Sequence, residues 1–449
     1  MTGRIVDRVA DASLAGLPQA PSSALFNTVQ YWLRPDKFTE RMSALGDRFT
    51  VKMLGTGTWL CLTHPNDIKA VFTSGVGQTH FAEPLRRFSP HELIFGRHSL
   101  TSLDGAEHLA SRKMLMPAFS GAALARYEPT IAAKAQELVQ RWPLGEPVRA
   151  IRQMQWVTLE IIMAAIFGVT EPTRLDRLRE AVLALGRGIS SLPFLIQMMI
   201  STTRGDQFRR PFPKIEALKA TVDAIVCEEM AARTRTGDTD DRDVLGRFMN
   251  LKDEQGQGLS EAEICDQMRL MLIGGHDTTA LTIAWVIERM THHPQVLAEV
   301  ERTVRAGDDS YLDAVIHETL RMRALTQFTI RLTKQPLVLD GLTIPAETLV
   351  VPYFSLVHRR SDIYPEPLEF RPERFHQIKP GTFSWIPFGG GMRRCIGAAM
   401  AMLEARIILA ALVRELDLRP VHQRAEAIKR SSILIAPDKG ALVIAQRFT

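Results

Sequence analysis

Residues Phe388 to Gly397 read Phe-Gly-Gly-Gly-Met-Arg-Arg-Cys-Ile-Gly, with one cysteine, Cys395, between glycines, after two arginines and before an apolar stretch. A thiolate is a soft, negatively charged ligand suited to iron. It needs backbone N–H groups aimed at it, which glycine turns allow. Gly391 and Gly397, lacking side chains, permit close approach of a flat cofactor. Arg393 nearby can pair with a carboxylate. The bland alternative is a buried cysteine in a glycine-rich turn before a helix.

A second segment with chemical content is Gly274-Gly-His-Asp-Thr-Thr279. It falls inside a long helical pattern that opens at Ser260-Glu-Ala-Glu263, a capping-box sequence. The pattern runs to His292-His293-Pro294, about 30 residues or ~45 Å at the usual rise. Glycines, an acid and threonines are poor helix formers at such a place. The Thr278 hydroxyl can bond back to the Gly274 carbonyl and bend the helix. A bent groove of small residues leaves room for a diatomic molecule, to which Asp277 and Thr278 can hand protons. The alternative is a pair of threonines tolerated in a buried helix, and His276 is expected to be structural.

Glu318-Thr-Leu-Arg321 sets an acid and a base on one helical face. That spacing is common by chance, so its order and company carry the weight. Downstream stands Phe370-Arg-Pro-Glu-Arg-Phe375. His108-Leu-Ala-Ser-Arg112 spaces two basic groups one helical turn apart.

In this order the segments resemble the cytochrome P-450 superfamily, over nearly the whole chain. The cysteine loop matches Phe-x-x-Gly-x-Arg-x-Cys-x-Gly at Phe388, Gly391, Arg393, Cys395 and Gly397. Gly274–Thr279 is similar to the family's oxygen-activation motif, Ala/Gly-Gly-x-Asp/Glu-Thr-Thr/Ser. The resemblance implies a mainly α fold with a small β region, a triangular helical prism in one domain over residues 1–449. Haem b (iron protoporphyrin IX) would lie between the long central helix and the cysteine-loop helix, ligated by the Cys395 thiolate. It implies proton delivery by Asp277 and Thr278, and a buried ion network of Glu318, Arg321 and Arg374. His108, Arg112, Arg331 and Arg393 would converge on the haem propionates. His358-Arg-Arg-Ser361 departs from the frequent His-Arg-Asp-Pro and puts a loop contact in question. The short link Ala306-Gly-Asp-Asp309 looks prokaryotic.

The implied reaction is insertion of one oxygen atom from O2 into a hydrophobic small molecule: a fatty acid, terpenoid, steroid or polyketide. Expected pocket walls include Ile273, Gly274, Gln327, Phe328 and Leu434. No fused flavin or ferredoxin segment is expected after Thr449. Electrons are therefore expected from a ferredoxin or flavodoxin with an NAD(P)H-dependent reductase, docking over Arg112, Lys113, Arg393 and Arg394. Two rivals stand. A peroxide-using haem-thiolate enzyme usually loses the acid–threonine pair. A non-catalytic haem or ligand-binding protein needs neither residue.

Composition narrows the setting. The chain has 449 residues, 45% of them hydrophobic, enough for a large core. Its net charge of +5 comes without a Lys/Arg run long enough for nucleic acid. It fits a basic face for an acidic protein partner, or an ordinary solvated surface. Cys61, Cys227, Cys265 and Cys395 are scattered, with no C-x-x-C pair, which argues against a disulfide framework or structural zinc and suits a reducing cytosol. The charged N-terminus reads against a signal peptide. No stretch reaches the roughly 20 apolar residues of a membrane span.

Periodicity supplies the frame. Helical spacing marks Ala122–Arg141, Met154–Phe167, Leu175–Leu185, Pro213–Arg233 and Ser260–Met290. Alternation predicts strands at Arg48–Leu54 and Thr58–Thr63, joined through Gly55 and Gly57, and a second pair at Leu337–Pro345 and Thr348–Pro352. Leu192–Ile200, ahead of a basic stretch from Arg204 to Lys214, could touch a membrane, line an entrance, or end a core helix.

Overall fold

The computed structural model describes residues 14–168, 171–191, 193–194, 196–197, 212–237, 241–252, 256–377 and 379–448. Of the Leu192–Ile200 and Arg204–Lys214 expectations, residues 193–194, 196–197 and 212–214 fall within them and the rest lie outside. Nine helices position the site: α1 (Gly105–Leu115), α2 (Gly121–Arg141), α3 (Ala150–Ile162), α4 (Pro172–Ile189), α5 (Pro213–Thr236), α6 (Glu261–Thr291), α7 (Pro294–Arg305), α8 (Ser310–Met322) and α9 (Ala398–Glu415). The helices expected from periodicity are all present, with shifted ends. The Met154–Phe167 pattern begins earlier, at Ala150, and closes in one wide turn over Met163–Phe167.

The central helix α6 starts where its sequence says. Ser260 Oγ accepts the Glu263 N–H at 3.3 Å, and Glu263 Oε2 accepts the Ser260 N–H at 2.8 Å, a closed capping box. Most residues from Ile264 onward are buried. The helix is apolar and long enough to pass for a membrane span, but that stretch is mostly covered by the rest of the molecule. It packs along α3, where the bare Cα of Gly275 faces Ile162; a Cβ there would come within 3.1 Å of Cδ1. Around this pair lies the main apolar core, drawn from most of the long helices.

The strands are β1 (Arg48–Met53), β2 (Gly57–Leu62), β3 (Thr79–His80), β4 (Val148–Arg149), β5 (Arg331–Thr333), β6 (Leu337–Leu339), β7 (Leu342–Ile344), β8 (Leu349–Pro352), β9 (Leu416–Pro420), β10 (Ile428–Ser431), β11 (Leu434–Pro437) and β12 (Leu442–Arg447). The largest sheet runs β1-β2-β8-β5-β3, with β2 and β8 parallel and the other pairs antiparallel. One expectation needs correction. Leu337–Pro345 does not pair with Thr348–Pro352. The turn at Asp340-Gly341, with Gly341 at φ 68°, folds β6 back on β7. That frees β8 to join β2.

The cysteine loop is anchored through α8. Glu318 Oε2 accepts Arg321 Nε at 2.7 Å. Its Oε1 accepts Arg321 Nη2 at 2.9 Å, Arg374 Nε at 3.0 Å and the Arg371 N–H at 3.0 Å. All three side chains are buried. Arg321 Nη1 also donates to the His358 and Pro367 carbonyls, at 2.6 and 2.9 Å. The imidazole of His358 then accepts the Ile386 N–H at 2.9 Å, two residues before Phe388. The departure at His358-Arg-Arg-Ser361 thus leaves this loop contact intact.

Two outcomes follow from the network. Arg321→Ala leaves a buried carboxylate short of its main partner, and stability should fall by about 3–5 kcal/mol. A denaturant midpoint matching the parent protein would contradict that. The second concerns acid. Burial, helped by Arg321, pushes His358 down to about 3. Unfolded, it takes a proton near the ordinary value of about 6.5. Its contribution is thus complete above about pH 6.5 and is lost as pH falls toward 3. His91 and His108, also pushed down by burial, share that window. His358→Gln should therefore make the fall of thermal midpoint with acid shallower without abolishing it; an unchanged slope argues against the assignment.

Candidate active site

The loop that carries Cys395 is shaped by close approach of backbone. Gly391 has φ 61°, and a Cβ on it would overlap the carbonyl oxygen of Phe72. This differs from the sequence reading, which had Gly391 making room for a cofactor; what it admits is the Pro65–Phe72 helix. Gly397 is the open one: a Cβ there would meet nothing within 4 Å. The Cys395 N–H donates to the Phe388 carbonyl at 2.9 Å, closing the loop just ahead of α9. Phe388 packs edge-on against Trp385, whose Nε1 donates to the His317 carbonyl of α8 at 3.2 Å. Cys395 is open on one side and crowded by protein on the others. Crowding raises the thiol above its usual range, while the Gly397 N–H and the charges of Arg112 and Arg394 pull it back down.

Beside this loop lies a knot of basic groups: His108 and Arg112 on α1, Arg331 on β5, and Arg393. Their charges act on one another, with Asp104 as the opposing carboxylate. Asp104 Oδ1 accepts Arg393 Nη2 at 2.7 Å. Its oxygens also take the N–H groups of Phe81, Ala82 and Glu83, at 2.8, 3.0 and 2.8 Å, capping the Ala82–Phe88 helix. Arg331 is buried, donates to Thr329 Oγ1 and the Ile330 carbonyl, and lies over the rings of Phe72 and Phe81. Among the described residues it forms no ion pair. Burial and Arg393 pull it down to about 9. Burial, then Arg393 and Arg112, push His108 down to about 3, so it stays neutral. A buried guanidinium without a counter-ion is costly. An anionic ligand carrying carboxylates satisfies this cluster, and a soft metal ion satisfies the thiol beside it. Haem, with propionates and iron, fits both.

At the middle of α6, Thr278 Oγ1 donates to the Gly274 carbonyl at 2.7 Å. The helix continues through the segment without interruption. A methyl group on Gly274 would meet no atom within 4 Å, so this face looks into open space. Asp277 Oδ1 accepts Gln155 Nε2 from α3 at 2.8 Å. His276 points elsewhere: it is buried, its Nδ1 lies 3.0 Å from Thr158 Oγ1, and burial lowers its basicity.

The expected pocket residues divide. Ile273 is half-buried against the main core, and Leu434 on β11 packs against the small cluster of Leu281, Trp285, Leu325 and Ala436. Gln327 and Phe328 belong elsewhere. Gln327 is buried, with Nε2 donating to Thr39 Oγ1 at 3.0 Å and Oε1 accepting from Arg430. Phe328 packs among Tyr31, Trp59 and Tyr353 beside the large sheet. Arg393 also differs from one of its two expected uses. Its guanidinium turns inward to the Leu100 and Leu103 carbonyls and Asp104, leaving exposed Lys113 and Arg394 as the basic groups of an outer face. Gln155 and Asp104 escaped the sequence reading. Only Asp104 had a local signal, an acid just before a helix, and it caps a different helix.

Comparison with known proteins agrees with this geometry. The family model described as Cytochrome P450 matches residues 17–444. A Mycobacterium tuberculosis protein assigned as cytochrome P450 137 is 33% identical over 401 residues, covering 89% of this chain and 83% of the relative. Cytochrome P450 135A1 of Mycobacterium tuberculosis is 31% identical over 454 residues, covering 96% of each. Among solved structures, a retinoic acid-bound cyanobacterial CYP120A1 superposes with TM-score 0.79 at 22% identity, covering 96% of this chain and 99% of that one. The haem domain of cytochrome P450DA does so with TM-score 0.81 at 23% identity and the same coverage. The thiol loop, the uncompensated basic knot and the matched relatives lead to one conclusion: this chain belongs to the cytochrome P450 family of haem-thiolate monooxygenases.

Proposed function

We propose that the protein places one oxygen atom of O2 into a hydrophobic small molecule of the fatty acid, terpenoid, steroid or polyketide kind. Its prosthetic group is haem b, and its electrons come from a separate ferredoxin or flavodoxin served by an NAD(P)H-dependent reductase in the cytoplasm. The observation that supports this most is the retained acid–hydroxyl pair, Asp277 and Thr278, beside the open space at Gly274. A peroxide-driven enzyme or a ligand carrier needs no such pair. Half-buried Ile273 and Leu434 give the surroundings an apolar character.

Haem held at Cys395 supplies reductive activation of oxygen and oxygen-atom transfer. Everything else falls to side chains of the chain. Arg331 and Arg112 would take the carboxylates, and neutral His108 can donate a hydrogen bond to one. Thr278 has donated its own proton to Gly274, so its oxygen remains free to accept from a water and fix it in the groove. Gln155 tethers Asp277 through Oδ1. A carboxylate held at one oxygen can relay protons through the other. Lys113 and Arg394, exposed on the cysteine-loop side, can steer an acidic electron donor by charge.

Thr278→Ala should keep haem and ligand binding, because only a small group in the groove is lost. It should divert reducing equivalents from product to hydrogen peroxide. Asp277→Asn should slow oxygen consumption itself, by about 100-fold, the usual scale of a lost proton donor. Reductant consumed, product formed and peroxide released are measured together for each variant. Unchanged coupling in the first and an unchanged rate in the second would remove the role assigned to this pair.

A further inference from the structure

Helices α5 and α6 cross in antiparallel register at one junction. Asp223 of α5 pairs with the fully buried Arg269 of α6. One helical turn along each helix, Cys227 faces Cys265, with the two sulfurs 3.5 Å apart. The same stretch of α6 holds the segment that precedes α1. Arg269 Nε donates to the Ile94 carbonyl at 2.8 Å, Asp266 accepts the His98 N–H at 3.0 Å, and Gln267 Oε1 accepts the Leu100 N–H at 3.1 Å. Neither thiol has a part in the haem site. The other two cysteines are placed elsewhere, Cys61 within the large-sheet core and Cys395 in its loop.

We propose that Cys227 and Cys265 form an oxidative modification site, at which hydrogen peroxide joins them into a disulfide that locks α5 onto α6. The contact needs only a modest approach of the sulfurs to reach the ~2.05 Å of a disulfide bond. Half-buried Cys227 is the sulfur that peroxide can reach, and buried Cys265 is the resolving partner. In the first step the Cys227 sulfur attacks one peroxide oxygen, an S–O bond forms, the O–O bond breaks, and one water leaves with the thiol proton. In the second the Cys265 sulfur attacks Cys227, the S–S bond forms, the S–O bond breaks, and the second water leaves with the Cys265 proton. Two electrons pass from the sulfurs to peroxide. Burial, then hydrogen bonding with Cys227, holds Cys265 up to about 12, which disfavours a first attack on peroxide from that sulfur. The link would fix the wall formed by α5, α6 and residues 94–100 as one body.

The test uses the haem-loaded protein. It is treated with hydrogen peroxide, its remaining thiols are blocked in denaturant, and it is digested with trypsin. A linked pair, Ala220–Arg233 joined to Asp253–Arg269, is expected, about two hydrogen masses below the sum of the free peptides. Dithiothreitol should release it, and Cys227→Ser and Cys265→Ser should each abolish it. The thermal midpoint should rise on oxidation in the parent protein and in neither variant. Both thiols remaining open to alkylation would overturn the proposal. So would Cys227 ending as a sulfinic acid with no linked pair, or a link found only between different molecules.

Discussion

The Cys395 loop contains a single short turn over Gly391–Arg393 and no strand, so something else must hold its thiol in place. Glu318 does this from behind. Its carboxylate binds Arg321, Arg374 and the Arg371 N–H, and Arg321 carries the constraint through the His358 carbonyl to the imidazole that takes the Ile386 N–H. On the other side the loop leans on the Phe72 carbonyl through Gly391. A buried ion cluster is weak evidence of net stability, since desolvation cancels much of its attraction. As a positional device it is strong. None of these charged groups has water to turn to, so the loop has one arrangement in which all are satisfied.

The basic knot around Asp104 works in the opposite sense. Here partners are missing, because Asp104 is already engaged by Arg393 and three N–H groups. Arg331 is left with neutral acceptors and aromatic faces. The folded chain thus holds unfavourable charge that an anionic prosthetic group relieves. Binding that group and stabilising the fold become one equilibrium, since a ligand that prefers the native state shifts folding toward it. The rigid Glu318 cluster and the unsatisfied Arg331 cluster flank the same thiol, one fixing its position and the other favouring what it ligates.

Legibility in the sequence followed the distance over which each contact acts. The capping box of α6, the Thr278 to Gly274 bond and the Glu318–Arg321 pair each lie within four residues, and composition alone locates them. Gln155 reaches Asp277 across 122 residues, and no motif surrounds it. Gln327 is expected among the pocket walls, as part of the run Leu325-Thr-Gln-Phe328. Its amide instead found Thr39 and Arg430, far away in the chain. Arg393 was given both an inward and an outward use, and only burial could choose between them. The Leu337–Pro352 strands were legible as strands, but their pairing depended on Asp340-Gly341 turning before the longer connection could.

Helix α6 joins these features mechanically. From Arg269 to Gly274 is five residues, little more than one turn, or roughly 7.5 Å of rise. The α5 junction and the open groove therefore sit on adjacent turns of one rod. At its far end Trp285 Nε1 donates to the Ile435 carbonyl at 3.2 Å, and Glu288 accepts the Glu426 N–H at 2.8 Å, fixing α6 to the C-terminal strands. Its N-terminal half is held in turn by α5 and residues 94–100. The apolar composition of α6 answers that need: a helix that crosses the whole core must be covered on nearly every face, and Gly274 to Thr278 is the short stretch where cover gives way to chemistry.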